Sequence, residues 1–279
     1  MACKVIVNRD SGNAYRLDLE KLLCMLGCMD AEVETVDGAT DWSADGCDTV
    51  IVCGGDGTLH SAIEKCSDKR IIYAPCGTLN EASRTEKTVK TVGKVNGNLF
   101  SYVCATGSFT EIGYTAKTKA KQIFGSVAYL PEVFKHYKSH QIHAKLNVDG
   151  VTFEDEYTLL MVLKSHRCFG FRFNKSYRKH KGLYLLAIKS CGEDNLVNKA
   201  TMFFPFFRVF FCGVSKPCCN KQFMLLPFDK LTMDLQEPQD FCVDGEKQRL
   251  FGRLEFCEQR LDKEITIIKT PFCRRKKTL

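Results

Sequence analysis

The sequence lacks several features that define large classes of proteins. Its 16 cysteines never occur in the spacing C-x-x-C, which argues against a structural zinc site. No apolar leader follows Met1, and the longest apolar stretch, 202–214, is interrupted by Arg208 and is shorter than the roughly 20 residues that span a bilayer. The sequence therefore predicts a soluble, cytoplasmic protein whose cysteines are reduced and mostly buried.

The composition is that of an ordinary globular protein. Hydrophobic residues make up 44% of the chain and charged residues 26%, which excludes disorder, collagen and a coiled coil. The sequence contains no internal repeat and no low-complexity segment. Its formal net charge of +7 favours an anionic partner but does not identify one.

The pattern of short apolar runs divides the sequence into two domains. Over residues 1–93, strand-like runs such as Thr49–Cys53 alternate with helical segments such as Leu59–Cys66, which predicts an α/β domain with a parallel, Rossmann-like sheet. Residues 94–262 contain many strand-like runs and one predicted helix, over 122–136, which predicts a β-rich, sandwich-like domain.

A glycine-rich loop, Gly54-Gly55-Asp56-Gly57-Thr58, lies between a predicted buried strand and a helix. Glycines let backbone N–H groups approach a ligand closely, and a helix N-terminus adds partial positive charge, so the loop suits a phosphate group. It is neither a Walker loop, because no Gly-Lys-Ser/Thr follows, nor the dinucleotide fingerprint, because His60 replaces the third glycine. Asp56 would repel phosphate unless it holds Mg²⁺, orients water or accepts a proton; its alternative role is a helix cap.

Two further polar loops are expected beside this one. Pro75-Cys76-Gly77-Thr78-Leu79-Asn80-Glu81 follows the next predicted strand, and residues 8–12 follow the first. Because loops at the carboxyl ends of parallel strands share one edge of the sheet, the three loops should meet there. Their convergence favours a ligand site, whereas Asn80 and Glu81 taken alone would be interpreted as helix caps.

These residues resemble the catalytic domain of the diacylglycerol kinases. The resemblance lies in Gly54 to Thr58 followed by Pro75-x-Gly77-Thr78-x-Asn80-Glu81, as in the soluble bacterial-type lipid kinases, which are related to sphingosine kinases and, more distantly, to NAD kinases. It continues in the expected order through residues 98–102 with Ala105-x-Gly107, the predicted helix around 125–129, and Asp244-Gly245-Glu246. The similarity therefore covers nearly the whole chain.

The resemblance implies a kinase that uses ATP and Mg²⁺. Residues 1–93 would bind the nucleotide, residues 94–262 would help to bind a lipid, and residues 263–279 would return to the first domain as a last strand, Ile265–Ile268, with a basic tail. The residues implied for ATP binding lie in the three loops: Asn8, Ser11, Gly12, Gly54, Gly55, Gly57, Thr58, Thr78 and Asn80.

The resemblance also implies catalytic carboxylates. Asp56 and Glu81 would belong to the network of Mg²⁺, phosphate and water, with the metal held through water. Asp244 and Glu246 would be presented to the acceptor hydroxyl. The proton acceptor is either Glu246 or Asp56, and the sequence does not choose between them. Without the resemblance, Asp244 to Glu246 would be interpreted as a solvated turn.

The sequence departs from the family pattern at two places. Glu81 replaces the usual Asp, so its carboxylate reaches one methylene further. The segment His180-Lys181-Gly182-Leu183 replaces a typical Asp-Asp-Gly-Leu stretch, and because basic side chains cannot replace a carboxylate ligand, the structural Mg²⁺ site of the family is not predicted.

Basic and aromatic segments suggest where a lipid surface would bind. Residues 164–189 include eight Lys or Arg residues and no acidic ones, and 274–277 are all basic. These residues form either a contact with an anionic membrane or a solvated basic face. The aromatic run 202–211 is expected to pack inside the second domain or to line an acyl-chain pocket. No nucleic-acid motif is present, and a homodimer is compatible with the sequence.

The sequence therefore predicts a lipid kinase that transfers the γ-phosphate of ATP to the hydroxyl of diacylglycerol or a related lipid. Its location would be cytoplasmic, with peripheral contact to the membrane. Two alternatives stay open: an NAD kinase, and a catalytically inactive regulator that binds nucleotide or lipid.

Overall fold

The computed structural model describes residues 2–37, 40–78, 80–108, 110, 140–168, 170–192 and 196–273. The helix predicted over 122–136 and the basic tail 274–277 lie outside the described residues. The chain divides into two compact units: residues 1–91 with 260–279, and residues 92–259. The boundaries expected from the sequence, after residues 93 and 262, fall close to these limits.

A parallel sheet forms the centre of the first unit. Its strands are β1 (Cys3–Asn8), β2 (Glu32–Val36), β3 (Thr49–Gly54) and β4 (Arg70–Pro75), in the order β2-β1-β3-β4. All six residues of β3 are buried, as expected for a central strand covered on both faces. The parallel pairing predicted for these strands is confirmed.

The last strand that the structure describes also pairs in this sheet. Strand β14 (Glu246–Ile267) is continuous, whereas the last strand expected from the sequence covered only 265–268. The preceding residues 257–264 are mostly charged and exposed, so no apolar run marked them as strand. Thr266 and Ile267 pair in parallel with β4, which is the return to the first unit that the resemblance implied.

Within its described residues, the first unit contains helices α1 (Leu19–Leu26), α2 (Asp56–Lys65) and α3 (Glu81–Thr85), and a 3₁₀ turn at Ala14–Arg16. Helix α2 begins before the predicted start at Leu59, because Gly55 takes the N-cap position. Gly57 and Thr58 therefore belong to the first helical turn and not to an extended loop. The N–H groups of that turn have no intrahelical carbonyl partner and point out of the helix end.

The second unit is built from antiparallel strands. They are β5 (Thr88–Val95, which begins in the first unit), β6 (Asn98–Phe100), β7 (Val103–Gly107), β8 (Ile142–Val148), β9 (Val151–Leu163), β10 (Leu183–Lys189), β11 (Cys218–Cys219), β12 (Phe223–Phe228), β13 (Lys230–Val243) and the first part of β14. Strands β9 and β13 each pair with both β7 and β8, so these four strands form a closed hydrogen-bonded circuit. The β-rich character predicted for this part of the chain is confirmed.

Apolar side chains are buried on both faces of the central strands β7, β9 and β10. Val162 and Leu185 belong to one cluster, and their neighbours Met161 and Leu186 belong to the other, as the alternation of a strand requires. Helix α4 (Leu196–Phe207) and the π-helical turn Arg208–Cys212 cover the second cluster.

The aromatic run thus forms α4 and the π-helical turn, and its Met202, Phe206 and Val209 pack inside the unit, which was one of the two expectations for it. Among the helices that the structure describes, none is long and apolar enough to cross a membrane.

Candidate active site

The three predicted loops meet at the carboxyl edge of the parallel sheet in the first unit. The carbonyl oxygen of Gly54 accepts hydrogen bonds from the N–H of Cys76 at 2.7 Å and the N–H of Gly77 at 3.2 Å. It also accepts one from the hydroxyl of Tyr73 at 3.2 Å. These bonds hold the loop after β4 against the loop after β3. The predicted convergence at one edge is confirmed.

Polar side chains fasten the N-terminal loop to the other two. The Asn8 amide donates to Thr58 Oγ1 at 2.9 Å, and Ser11 Oγ accepts a hydrogen bond from the N–H of Gly55 at 3.1 Å. The Asn13 amide donates to the carbonyl of Gly77 at 2.9 Å. All three loops are therefore connected by hydrogen bonds through residues that the sequence placed at the site, together with Asn13.

Asp56 links the beginnings of two helices. Its carboxylate accepts hydrogen bonds from the N–H of Glu81 at 2.8 Å and the N–H of Ala82 at 3.2 Å. These N–H groups open helix α3, whose own N-cap residue, Asn80, makes no capping bond from its side chain and has a φ of 48°. Asp56 is thus a cap, as one interpretation held, but it caps α3 and not its own helix.

Glycine permits the loops to touch backbone to backbone. A Cβ added to Gly77 would lie 2.8 Å from the Cα of Gly55 and 2.5 Å from Asn80 Oδ1, and one added to Gly12 would overlap Thr78 Oγ1. The sequence explained the glycines of residues 54–58 by the close approach of a ligand. In the structure Gly55, Gly77 and Gly12 allow the close approach of the loops to one another, which brings the polar groups to one edge.

Burial keeps the groups beneath the loops neutral. Burial, reinforced by the nearby charge of Asp56, raises the pKa of Tyr73 well above its ordinary value, so the phenol donates to Gly54 as a neutral hydroxyl. Burial also raises the pKa of the Cys76 thiol to about 11. The chemistry available at this edge therefore comes from the helix N–H groups and from the carboxylates of Asp56 and Glu81, the second of which is buried.

Asp244, in the second unit, binds backbone N–H groups. Its side chain is only 2% exposed, and its carboxylate accepts hydrogen bonds from the N–H groups of Ser101, Tyr102 at 3.0 Å and Val103 at 3.1 Å. Asp244 therefore fixes the turn between β6 and β7. These contacts give Asp244 a structural role that the sequence did not predict.

Glu246 differs from Asp244 although the two residues flank one glycine. Asp244 and Gly245 have positive φ values of 52° and 103° and form the turn between β13 and β14. Glu246 is exposed at the first position of β14. Of the two acidic residues of this motif, Glu246 is the one whose carboxylate is accessible.

The segment that departs from the family pattern is basic and exposed. His180 and Lys181 are exposed before β10, and Gly182 between them and the strand has a φ of 143°. In the part of the chain that the structure describes, no group of three or more His, Cys, Asp or Glu residues is arranged to hold a metal ion.

Two residues that organise the site were not singled out from the sequence. Asn13 follows directly on the predicted loop 8–12, so its polar side chain beside Gly12 was a usable signal. Tyr73 lies within an apolar strand, where nothing marked its hydroxyl as the partner of a carbonyl in the preceding loop.

Residues 2–101 match the family model of the diacylglycerol kinase catalytic domain. The diacylglycerol kinase of Staphylococcus aureus strain JH9 is 25% identical over 146 residues, covering 44% of this chain and 46% of the relative, and that of strain Newman gives the same values. The resemblance to the diacylglycerol kinase catalytic-domain family is confirmed.

The match of the diacylglycerol kinase catalytic domain ends in the early part of the second unit, and the chain spans less than half the length of these curated relatives. Solved structures extend the likeness in fold. A diacylglycerol kinase from Bacillus anthracis strain Sterne superposes with a TM-score of 0.61 at 16% identity, covering 95% of this chain and 96% of the other. A further structure from that organism superposes with a TM-score of 0.66 at 18% identity, and the coverage of both chains is the same. The two-domain fold is therefore shared with these proteins.

Proposed function

We propose that this protein is a lipid kinase that transfers the γ-phosphate of ATP to the hydroxyl group of diacylglycerol or a related lipid. The observation that carries the proposal is the hydrogen-bonded meeting of three loops whose residues match the diacylglycerol kinase catalytic domain. The names of the curated relatives support the same substrate class.

The nucleotide would bind at the carboxyl edge of the first unit, where β1 to β4 with α1 and α2 form a Rossmann-like layer. The N–H groups in the first turn of α2, at Asp56, Gly57 and Thr58, offer partial positive charge to phosphate oxygens. The loops after β1 and β4 would enclose the same ligand through Asn8, Ser11, Gly12, Thr78 and Asn80. Phosphoryl transfer depends mainly on positioning, and loops fixed to one another supply it before the ligand arrives.

The carboxylates beside this edge are suitable ligands for Mg²⁺. The backbone N–H of Glu81 is bonded to the Asp56 carboxylate, so the two residues lie together, and carboxylate oxygens are the ligands this ion prefers. The Asp56 oxygens accept hydrogen bonds from the N–H groups of Glu81 and Ala82, and a carboxylate has about four acceptor sites in all. These two residues would hold the ion through water. When bound, Mg²⁺ would neutralise charge on the transferred phosphate.

Glu246 is proposed to accept the proton of the attacking hydroxyl. Asp244 is buried against three backbone N–H groups and Asp56 against two, whereas the Glu246 side chain is exposed. An accessible carboxylate can approach an acceptor hydroxyl, whereas the carboxylates of Asp244 and Asp56 already bind backbone N–H groups. This assignment chooses between the two bases that the sequence left open.

The alternatives predict different acceptors. An NAD kinase would phosphorylate NAD and no lipid, and an inactive regulator would phosphorylate nothing. The purified protein, with labelled ATP and Mg²⁺, should be offered diacylglycerol in mixed micelles, a sphingoid base, a total lipid extract and NAD in separate reactions. We expect label in a chloroform-soluble product. Label on NAD alone, or on none of the four acceptors, would contradict the proposal.

A further inference from the structure

Helix α4 and the π-helical turn after it are apolar on two opposite sides. One side packs into the second unit through Met202, Phe206 and Val209. On the other side Val197 is 74% exposed, Phe204 66% and Phe207 40%. Large apolar side chains exposed together on one side of a helix mark a surface that binds another molecule.

Stacked rings hold the outer side in a fixed shape. The ring centroids of Phe203 and Phe207 lie 5.6 Å apart at an interplanar angle of 22°, and those of Phe207 and Phe211 lie 5.3 Å apart at 14°. We call Phe203, Phe204, Phe207 and Phe211 the phenylalanine ridge. Because each ring supports the next one, one turn along the helix, the ridge keeps its apolar surface outward.

Positive charge surrounds one end of the ridge. Exposed Arg208 follows Phe207 and donates a hydrogen bond to the carbonyl of Gly213 at 2.6 Å, and Lys175 donates one to the carbonyl of Cys212 at 2.8 Å. Exposed Arg172 directly follows Phe171 in the sequence. The ring centroids of Phe171 and Phe211 lie 5.0 Å apart. Over residues 157–228 the sequence has twelve Lys or Arg residues and two acidic ones.

We propose that the phenylalanine ridge inserts into the interfacial region of an anionic phospholipid bilayer, with Arg172, Lys175 and Arg208 at the level of the headgroups. Rings that enter the acyl boundary, beside basic side chains whose stems are apolar, are the combination that such an interface binds. A second copy of this chain would place one basic surface against another, which charge repulsion opposes. The inference rests on the proposed function in that the lipid acceptor resides in the bilayer.

Vesicle binding tests the ridge directly. The full chain should be sedimented with vesicles of phosphatidylglycerol and phosphatidylcholine, as wild type, as the double variant Phe204→Ser with Phe207→Ser, and as Phe251→Ser. Phe251 is 60% exposed in the same unit but lies on β14, so it is the matched control. We expect the double variant to bind about 30-fold more weakly and the control to bind like wild type. Vesicles of phosphatidylcholine alone should bind wild type at least about tenfold more weakly.

Insertion has a signature that a structural defect lacks. Phe204→Trp should show a blue shift of emission with anionic vesicles and quenching by lipids brominated on the acyl chain. Equal vesicle binding of wild type and double variant, or no quenching of the indole at position 204, would overturn the proposal. So would an oligomer of the lipid-free protein that the double variant dissociates, because a second copy would then cover the ridge.

Assays with a water-dispersed short-chain diacylglycerol separate this inference from the proposed kinase activity. We expect the double variant to retain its transfer rate on that acceptor and to lose rate on diacylglycerol in vesicles. If wild type phosphorylates no acceptor but its vesicle binding depends on the ridge as described, the proposed function fails and the docking surface stands.

Discussion

Glu246→Gln is expected to lower the rate of phosphate transfer to diacylglycerol by about 10²- to 10⁴-fold. Glutamine keeps the size and the hydrogen-bonding capacity of the side chain but cannot take up a proton. Because Glu246 is exposed at the first residue of β14, the substitution should leave the unfolding temperature unchanged. The measurement is the initial rate with saturating ATP, together with thermal unfolding of both proteins.

Asp244→Asn, at the buried acidic residue of the same motif, is expected to lower stability, unlike Glu246→Gln. Its amide NH₂ group would face the N–H of Ser101 or those of Tyr102 and Val103, so at least one buried charge-assisted hydrogen bond is lost. We expect a loss of about 2 kcal/mol or more in the free energy of unfolding. A Glu246→Gln protein that transfers phosphate at the wild-type rate would show that the proton goes elsewhere and would return Asp56 to consideration.

Asp56→Asn is expected to reduce the transfer rate by at least about 100-fold. The substitution affects both the charge at the phosphate and the position of the loop after β4. Asparagine replaces one carboxylate oxygen with an NH₂ group, which would face either the N–H of Glu81 or that of Ala82 and could not accept a hydrogen bond from it. The expected loss of stability is about 1–3 kcal/mol. Steady-state kinetics and denaturant unfolding measure the two effects separately.

Asp68→Asn controls for the removal of one negative charge from the first unit. Asp68 is an exposed residue whose carboxylate lies 3.7 Å from the amino group of Lys69, and surface pairs of this kind contribute little. This variant should retain wild-type kinetics. If Asp56→Asn also retained them, Asp56 would be only a cap for α3, and its assignment to the phosphate and Mg²⁺ network would be wrong.

The meeting of the three loops could be predicted because it follows from a general property of parallel sheets. The apolar run Thr49–Cys53 marked a strand buried on both faces, and loops that leave successive parallel strands at their carboxyl ends must share an edge. No side-chain packing was needed for that step. The return of residues 266–267 to β4 needed the family resemblance, since the local sequence carries no information about which strand it joins.

The roles of individual acidic residues could not be predicted in the same way. The partners of Asp56 lie 25 and 26 residues further along the chain, and those of Asp244 more than 140 residues earlier. Neither separation leaves a periodic signal, so the cap on α3 and the buried turn at Ser101 to Val103 emerge only from the fold. The exposed side of α4 escaped prediction for a related reason: a run of phenylalanines indicates burial without indicating which rings are buried.

Amide hydrogen exchange of the full chain, with and without ATP and Mg²⁺, tests most directly the claim that the three loops form one nucleotide site. We expect slowed exchange in all three loops together, at residues 8–13, 55–58 and 76–82, and the loss of that protection in Asp56→Asn. Protection confined to another part of the chain, or unchanged exchange at these residues with saturating nucleotide, would show that the three loops do not form one nucleotide site.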